Sequence, residues 1–167
     1  NPNREEVFNL KQFLRERNAD IPIIAKIEKL EAVNNIDQIL SEAYGIMVAR
    51  GDLGVELPAQ KVPLIQKDLI DRARCFNKPV IVATQMLESM TAHSRPTRAE
   101  VGDVANAALS SADAVMLSAE TASGKHPIKS VQMMDSVLRE MERYMWERGS
   151  FGDRIEGCES SQLIHRR

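Results

Sequence analysis

The sequence predicts an α/β protein built from repeated strand–helix units around a parallel sheet. Four short apolar runs, enriched in β-branched residues, alternate with segments of helical periodicity. The runs are residues 21–28, 46–49, 80–83 and 114–117. They recur at the spacing of roughly 25–35 residues that a right-handed βαβ unit needs. Polar residues lie at or directly after the C-terminal end of each run, which is typical of a parallel sheet with a functional site along one edge.

The composition of the 167 residues indicates one globular domain with a substantial core, since 43% of them are hydrophobic. The net charge of −2 gives no general attraction to nucleic acid or to anionic membranes. No apolar run approaches the roughly 20 residues of a membrane span, and the polar first residues lack the apolar core of a secretory signal. We therefore expect a cytoplasmic protein without a nucleic-acid or membrane partner.

Neither the cysteines nor the histidines are spaced like metal ligands. Cys75 and Cys158 lie far apart and fit no CxxC pattern. We expect neither a disulfide framework nor a zinc site. A reducing compartment agrees with this reading.

Helices are predicted around the strands by apolar residues at helical spacing. The first three are expected at residues 4–17, 29–43 and 60–76. Thr97 and Glu100 match a capping box that begins the next helix, and Pro127 suits the first position of the last one. Gly45 suits a left-handed position that ends a helix.

The expected organisation is a leading helix followed by four βα units. These units occupy residues 1–147, and residues 148–167 are expected to form an irregular tail or linker. Residues 50–58, with two glycines and a proline, are expected to form a loop.

Two carboxylates are expected to meet where the first two strands end. Glu28 follows the first strand and Asp52 the second. Neighbouring parallel strands lie about 4.8 Å apart, so these side chains should converge. Two hard oxygen ligands with room for water and substrate suit Mg²⁺ or Mn²⁺. The alternative is a pair of solvated carboxylates, one of them bridged to Lys26 or Arg50.

Four further residues at the strand ends are candidates for chemistry. Lys26 shares a strand face with Glu28, where an ammonium either neutralises charge on a transferring phosphoryl group or forms a structural salt bridge. Gly51 allows the backbone to approach an anion closely. Thr84 and Ser118 carry hydroxyls at matching strand ends, which bind a carboxylate, relay a proton or simply cap the following helix.

Five segments together closely resemble pyruvate kinase in order and spacing. They are residues 24–28 (IAKIE), 45–54 (GIMVARGDLG), 83–90 (ATQMLESM), 95–100 (RPTRAE) and 116–122 (MLSAETA). The resemblance implies the second half of a TIM (β/α)₈ barrel. It also implies a glycolytic phosphotransferase that converts phosphoenolpyruvate and ADP to pyruvate and ATP, with Mg²⁺ or Mn²⁺ as cofactor. The K⁺ of the family is implied as well, with its ligands outside this chain, and so is a homo-oligomer, a tetramer in the family.

The resemblance also implies a role for each candidate residue. Lys26 would stabilise the transition state of phosphoryl transfer, and Glu28 and Asp52 would ligate the metal. The amides of Gly51 and Asp52 and the hydroxyl of Thr84 would hold the substrate carboxylate. By the same resemblance, Ser118 would lie near the route that protonates the enolate.

Two of the departures from the family pattern matter most for the site. Ala119 stands where the family usually has glycine, which adds a Cβ beside Ser118. Only four βα units are present, so we expect the isolated chain to carry the metal and lysine half of the site and to be inactive alone. The alternatives are a metal-dependent aldolase or lyase barrel that uses a pyruvate enolate, and a half-barrel that serves as a non-catalytic interaction module.

Overall fold

A computed structural model describes residues 3–149 and shows four strands in one sheet. The strand order is β1-β2-β3-β4, with β1 and β2 parallel and β3 and β4 parallel. The strands are β1 Ile24–Ile27, β2 Gly45–Ala49, β3 Val80–Ala83 and β4 Ala114–Met116. The prediction of an α/β fold with parallel β/α units is confirmed.

Eight α-helices lie within the described residues. They are α1 Arg4–Glu16, α2 Leu30–Asn34, α3 Ile36–Glu42, α4 Arg50–Glu56, α5 Val62–Cys75, α6 Arg98–Leu109, α7 Ala119–Ala122 and α8 Pro127–Glu147. The described part of the chain also has two 3₁₀ turns. Ala59–Lys61 precedes α5, and Glu88–Thr91 follows β3. None of these helices is long and apolar enough to cross a membrane.

The chain divides into two compact units, and the division falls inside β3. The first unit holds the described residues 3–80, and the second holds the described residues 81–149. In the first unit, β1 pairs with β2 so that Ile24 lies opposite Gly45 and Ile27 opposite Val48. Its core consists of fully buried aliphatic side chains, which include Ile27, Ile39, Leu40, Ile46, Val48, Leu53 and Ile70.

Gly45 is required by a close approach rather than by a left-handed backbone. The expectation that it ends a helix in the left-handed conformation is wrong, because it is the first residue of β2 and its φ lies outside that region. A Cβ at this position would lie 2.5 Å from the carbonyl oxygen of Pro79. That same oxygen accepts a hydrogen bond of 3.0 Å from the amide of Ile46.

Two predicted segments differ in the structure. Residues 50–56 form α4 rather than a loop, although a helical glycine costs about 1 kcal/mol relative to alanine. Leu53 is fully buried in the core, and this packing outweighs the propensity of the two glycines. The predicted helix over 29–43 is interrupted at Asn35, whose backbone leaves the helical region between α2 and α3.

In the second unit, β3 pairs with β4 so that Ala83 lies opposite Met116. The predicted capping box at the start of α6 is present. The Glu100 amide donates to Thr97 Oγ1 at 3.2 Å, and the Thr97 amide donates to Glu100 Oε2 at 2.8 Å. The Glu100 carboxylate also accepts from the amide and the hydroxyl of Ser89, at 2.7 and 2.6 Å. This one side chain therefore joins the segment after β3 to α6.

Cys75 is the last residue of α5. The other cysteine of the sequence, Cys158, lies outside the described residues, so the expectation that the cysteines form no disulfide stays a prediction. The predicted tail over 148–167 also lies almost entirely outside them.

Glu100, Ser89 and Thr97 form a hydrogen-bonded group, which we call the Glu100 cluster. This cluster predicts a pH-dependent contribution to stability. Burial raises the pKa of Glu100, but hydrogen bonds from Ser89 and Thr97 outweigh burial and hold the pKa below its ordinary value of 4.5. The cluster therefore stabilises the fold above pH 4.5, and this contribution disappears as the pH falls through the lowered pKa of the folded state. We expect Glu100→Gln to lower the free energy of unfolding at neutral pH by about 1 kcal/mol.

Urea unfolding of the wild type and of Glu100→Gln across this pH range tests the prediction. The difference between them should shrink below pH 4.5. Glu88→Gln is the matched control, because Glu88 is an exposed carboxylate in the same segment. A difference that stays constant with pH would contradict the prediction.

Candidate functional site

Three charged side chains of the first unit meet beyond the ends of β1 and β2. Lys26 Nζ lies 2.7 Å from Glu28 Oε2 and 3.0 Å from Asp52 Oδ2. We call these three residues the ion cluster. One ammonium group therefore holds two carboxylates that are 24 residues apart in the chain.

The alternation of β1 sets the direction of Lys26. Ala25 and Ile27 are buried in the core, whereas the Lys26 side chain is 51% exposed. Successive side chains of a strand point to opposite faces, so the sequence places Lys26 and Glu28 on the face opposite to the core.

The turn from β2 into α4 brings Asp52 to the cluster. β2 ends at Ala49 and α4 begins at the next residue, so Asp52 lies in the first helical turn. An acidic side chain is favourable there, because the helix dipole is positive at its N-terminus. Leu53 anchors α4 in the core immediately after Asp52.

Glu56 provides a second link between the two halves of the ion cluster. Its Oε2 accepts a hydrogen bond of 3.1 Å from the amide of Leu30. Glu56 is the last residue of α4, and Leu30 follows Glu28 by two residues. The helix that carries Asp52 is thus tied to the segment that carries Glu28, a contact that the sequence did not lead us to expect.

The ion cluster favours the protonated form of Lys26. The hydrogen bond to Glu28, followed by that to Asp52, raises the pKa of the Lys26 ammonium above its ordinary value. The side chains of Glu28 and Asp52 are 29% and 53% exposed, so the carboxylates remain accessible to a ligand from solvent.

Glu28 and Asp52 supply part of the ligand set that a hard divalent cation needs. Mg²⁺ is commonly held by one or two carboxylates together with waters and substrate oxygens, and Glu28 and Asp52 match that donor set. Within residues 3–149, no group of three or more histidine, cysteine or acidic side chains is arranged to hold a metal ion. The chain therefore offers an open pair of oxygen ligands rather than a closed cage, and water and substrate would supply the other positions.

Thr84 and Ser118 lie in the second unit, at the same end of the β3–β4 pair. Thr84 follows β3 directly, and Ser118 comes two residues after β4. Thr84 and Gln85 both take the left-handed conformation, with φ of 73° and 53°. Two consecutive left-handed residues that are not glycine store strain, which is found preferentially at functional sites.

A buried carboxylate that our sequence reasoning missed lies beside these strand ends. Glu120 is 2% exposed and accepts hydrogen bonds from the amides of Leu87 and Ser118. The one available signal was its position inside the MLSAETA segment, two residues after Ser118. The extra Cβ of Ala119, the departure noted above, is exposed at the first position of α7.

The structure thus brings together Lys26, Glu28 and Asp52, with Gly51 in the same helical turn as Asp52. Thr84 and Ser118 belong to the other unit. The roles assigned to these residues from the sequence remain predictions.

Comparison with known proteins gives one consistent result. The family model described as pyruvate kinase, barrel domain, matches residues 3–131. The pyruvate kinase of Thermococcus litoralis is 55% identical over 139 residues, which are 83% of this chain and 29% of the relative. That of Leishmania mexicana is 57% identical over 136 residues, which are 81% of this chain and 27% of the relative.

A plant relative shows a similar match. Pyruvate kinase isozyme G, chloroplastic, of Ricinus communis is 56% identical over 131 residues, which are 78% of this chain and 31% of the relative. The chain therefore spans less than a third of the length of these three curated relatives.

The ion cluster predicts how the pKa of Lys26 responds to loss of either carboxylate. Glu28→Gln should lower the pKa of Lys26, because the largest interaction that favours the ammonium is removed. Asp52→Asn should lower it as well, by less. NMR titration of the lysine side-chain resonances measures both shifts.

The control for this titration is Asp71→Asn. Asp71 pairs with Lys67 on α5 at a distance of 2.5 Å. The substitution therefore removes a carboxylate of the same unit that does not touch Lys26. The pKa of Lys26 should be the same as in the wild type. Equal values in all three variants would show that the ion cluster does not form in solution.

Proposed function

This chain belongs to the pyruvate kinase family, and we propose that its ion cluster binds a divalent cation and supports phosphoryl transfer between phosphoenolpyruvate and ADP. The family consists of glycolytic phosphotransferases. The observation that carries the proposal is the convergence of Glu28 and Asp52 on the ammonium of Lys26, at 2.7 and 3.0 Å.

In the proposed reaction, Glu28 and Asp52 hold Mg²⁺ or Mn²⁺ through their carboxylate oxygens. The metal supplies Lewis-acid neutralisation of negative charge when bound. Lys26, whose ammonium form its two neighbours favour, contributes a positive charge beside the transferring phosphoryl group. A preorganised charge of this kind lowers the barrier, because it needs no reorganisation as the charge develops.

The remaining assignments rest on the family resemblance. We propose that the amides of Gly51 and Asp52 and the hydroxyl of Thr84 hold the substrate carboxylate, and that Ser118 contributes to protonation of the enolate. The left-handed backbone at Thr84 supports a functional role for that residue. ADP and ATP as nucleotides, K⁺ as a further cofactor with ligands outside this chain, a homo-oligomeric state and a cytoplasmic location complete the proposal.

Binding of oxalate, a mimic of enolpyruvate, tests the metal site directly. We expect isothermal calorimetry to detect oxalate binding to the 167-residue chain only when Mg²⁺ is present. Glu28→Gln should weaken this binding at least about tenfold, which corresponds to about 1.4 kcal/mol, because one anionic ligand is lost. Asp71→Asn is the matched control and should bind as the wild type does.

Two results would overturn the metal site. The first is oxalate binding that does not depend on Mg²⁺. The second is unchanged affinity in a Glu28→Gln variant whose circular dichroism matches that of the wild type.

Turnover by the 167-residue chain itself is a separate prediction. We expect little or no release of pyruvate from phosphoenolpyruvate and ADP, because the relatives named pyruvate kinase are more than three times as long as the matched segment. A coupled assay with Mg²⁺ and K⁺ measures the rate. A kcat within the usual enzyme range of about 1–10³ s⁻¹ would refute the expected inactivity while supporting the proposed reaction.

A further inference from the structure

Glu120 joins the two polar strand ends of the second unit through backbone hydrogen bonds. Its Oε1 accepts from the amide of Leu87 at 3.1 Å, and its Oε2 accepts from the amide of Ser118 at 2.8 Å. Leu87 belongs to the segment after β3, and Ser118 to the segment after β4. The side chain is 2% exposed, so water does not compete for these donors.

The chemistry of this position requires a carboxylate. Two N–H donors approach from different segments, and each takes a separate oxygen of Glu120. A glutamine side chain has one acceptor oxygen and one NH₂ group, so one amide would face another donor. A buried amide left without an acceptor costs about 1–3 kcal/mol. Aspartate is shorter by one methylene group and does not span the same distance.

The bond to Leu87 acts on a strained turn. Thr84 and Gln85 are left-handed, with φ of 73° and 53°, and Leu87 follows them with its side chain fully buried. Strained residues keep their conformation only when the surrounding structure fixes it strongly. The bond from the Leu87 amide to Glu120 and the burial of the Leu87 side chain fix this turn at its downstream end.

The helix that carries Glu120 is itself held closely against the same segment. The Lys125 amide donates to the carbonyl oxygen of Thr91 at 2.8 Å. A Cβ at Gly124 would lie 2.6 Å from the carbonyl oxygen of Glu120 and 3.1 Å from the Cα of Thr91. This close packing leaves α7 little freedom to shift, so the Glu120 carboxylate is a fixed anchor for both amides.

We propose that Glu120 is a positioning residue that sets the geometry of the Thr84 turn and of Ser118 together. It acts through Leu87 and through the Ser118 amide, and we assign it no contact with substrate. The use of the two hydroxyls in catalysis rests on the proposed function. The proposal about Glu120 concerns the backbone that carries them.

The test compares Glu120→Gln with the wild type by amide hydrogen exchange and by oxalate binding. In Glu120→Gln, exchange at Leu87 or Ser118 should accelerate at least about tenfold, because one of the two amides loses its acceptor. Mg²⁺-dependent affinity for oxalate should fall about tenfold in molecules that circular dichroism shows to be folded. Glu88→Gln, an exposed carboxylate one residue after Leu87, is the matched control and should change neither quantity.

The outcomes separate this inference from the proposed function. If the wild type binds no oxalate, the proposed function fails, and hydrogen exchange alone decides the role of Glu120. If both amides keep their protection in Glu120→Gln, the inference is wrong. If protection is lost while oxalate affinity is unchanged, Glu120 only stabilises the unit, and the positioning role is wrong.

A second measurement does not depend on a folded variant. In the labelled wild-type chain, scalar couplings across the hydrogen bonds should connect the amide nitrogens of Leu87 and Ser118 to the side-chain carboxyl carbon of Glu120. Both couplings are expected. Their absence, with couplings across the backbone bonds of α6 detected in the same experiment, would overturn the inference.

Discussion

The parallel pairing of β1 with β2 is the constraint on which the ion cluster depends. The register places Lys26 opposite Met47, so that the segment after each strand leaves the sheet at the same end. Burial of Ala25 and Ile27 locks this register, since a slip by one residue would turn Lys26 toward the core. A charged cluster at the strand ends is thus a consequence of where the apolar residues of β1 must lie.

Two kinds of carboxylate occur in this structure, and their surroundings distinguish them. Glu28 and Asp52 are partly exposed and share the half-exposed ammonium of Lys26, so a ligand from solvent can reach both carboxylates. Glu100 and Glu120 accept hydrogen bonds from backbone amides instead, and Glu120 is buried. Fixed amide donors commit a carboxylate to structure, whereas an exposed ion pair leaves it available for binding.

The features that follow from local rules were readable in the sequence. Strand alternation indicated that Lys26 and Glu28 share a face, and the spacing of Thr97 and Glu100 indicated the capping box. Features that depend on tertiary packing could not be predicted from the sequence. The helix α4 forms in spite of two glycines because Leu53 is buried, and the role of Glu120 depends on an amide 33 residues earlier in the chain.

The approach of Gly45 to Pro79 has a consequence for how this sequence is able to vary. The Pro79 carbonyl oxygen already accepts from the Ile46 amide, and the space where a Cβ of residue 45 would lie is filled by that same oxygen. Any side chain at position 45 must push the two backbones apart and break the bond. Substitution at position 45 is therefore restricted by the requirements of folding rather than of chemistry, since this residue carries no functional group.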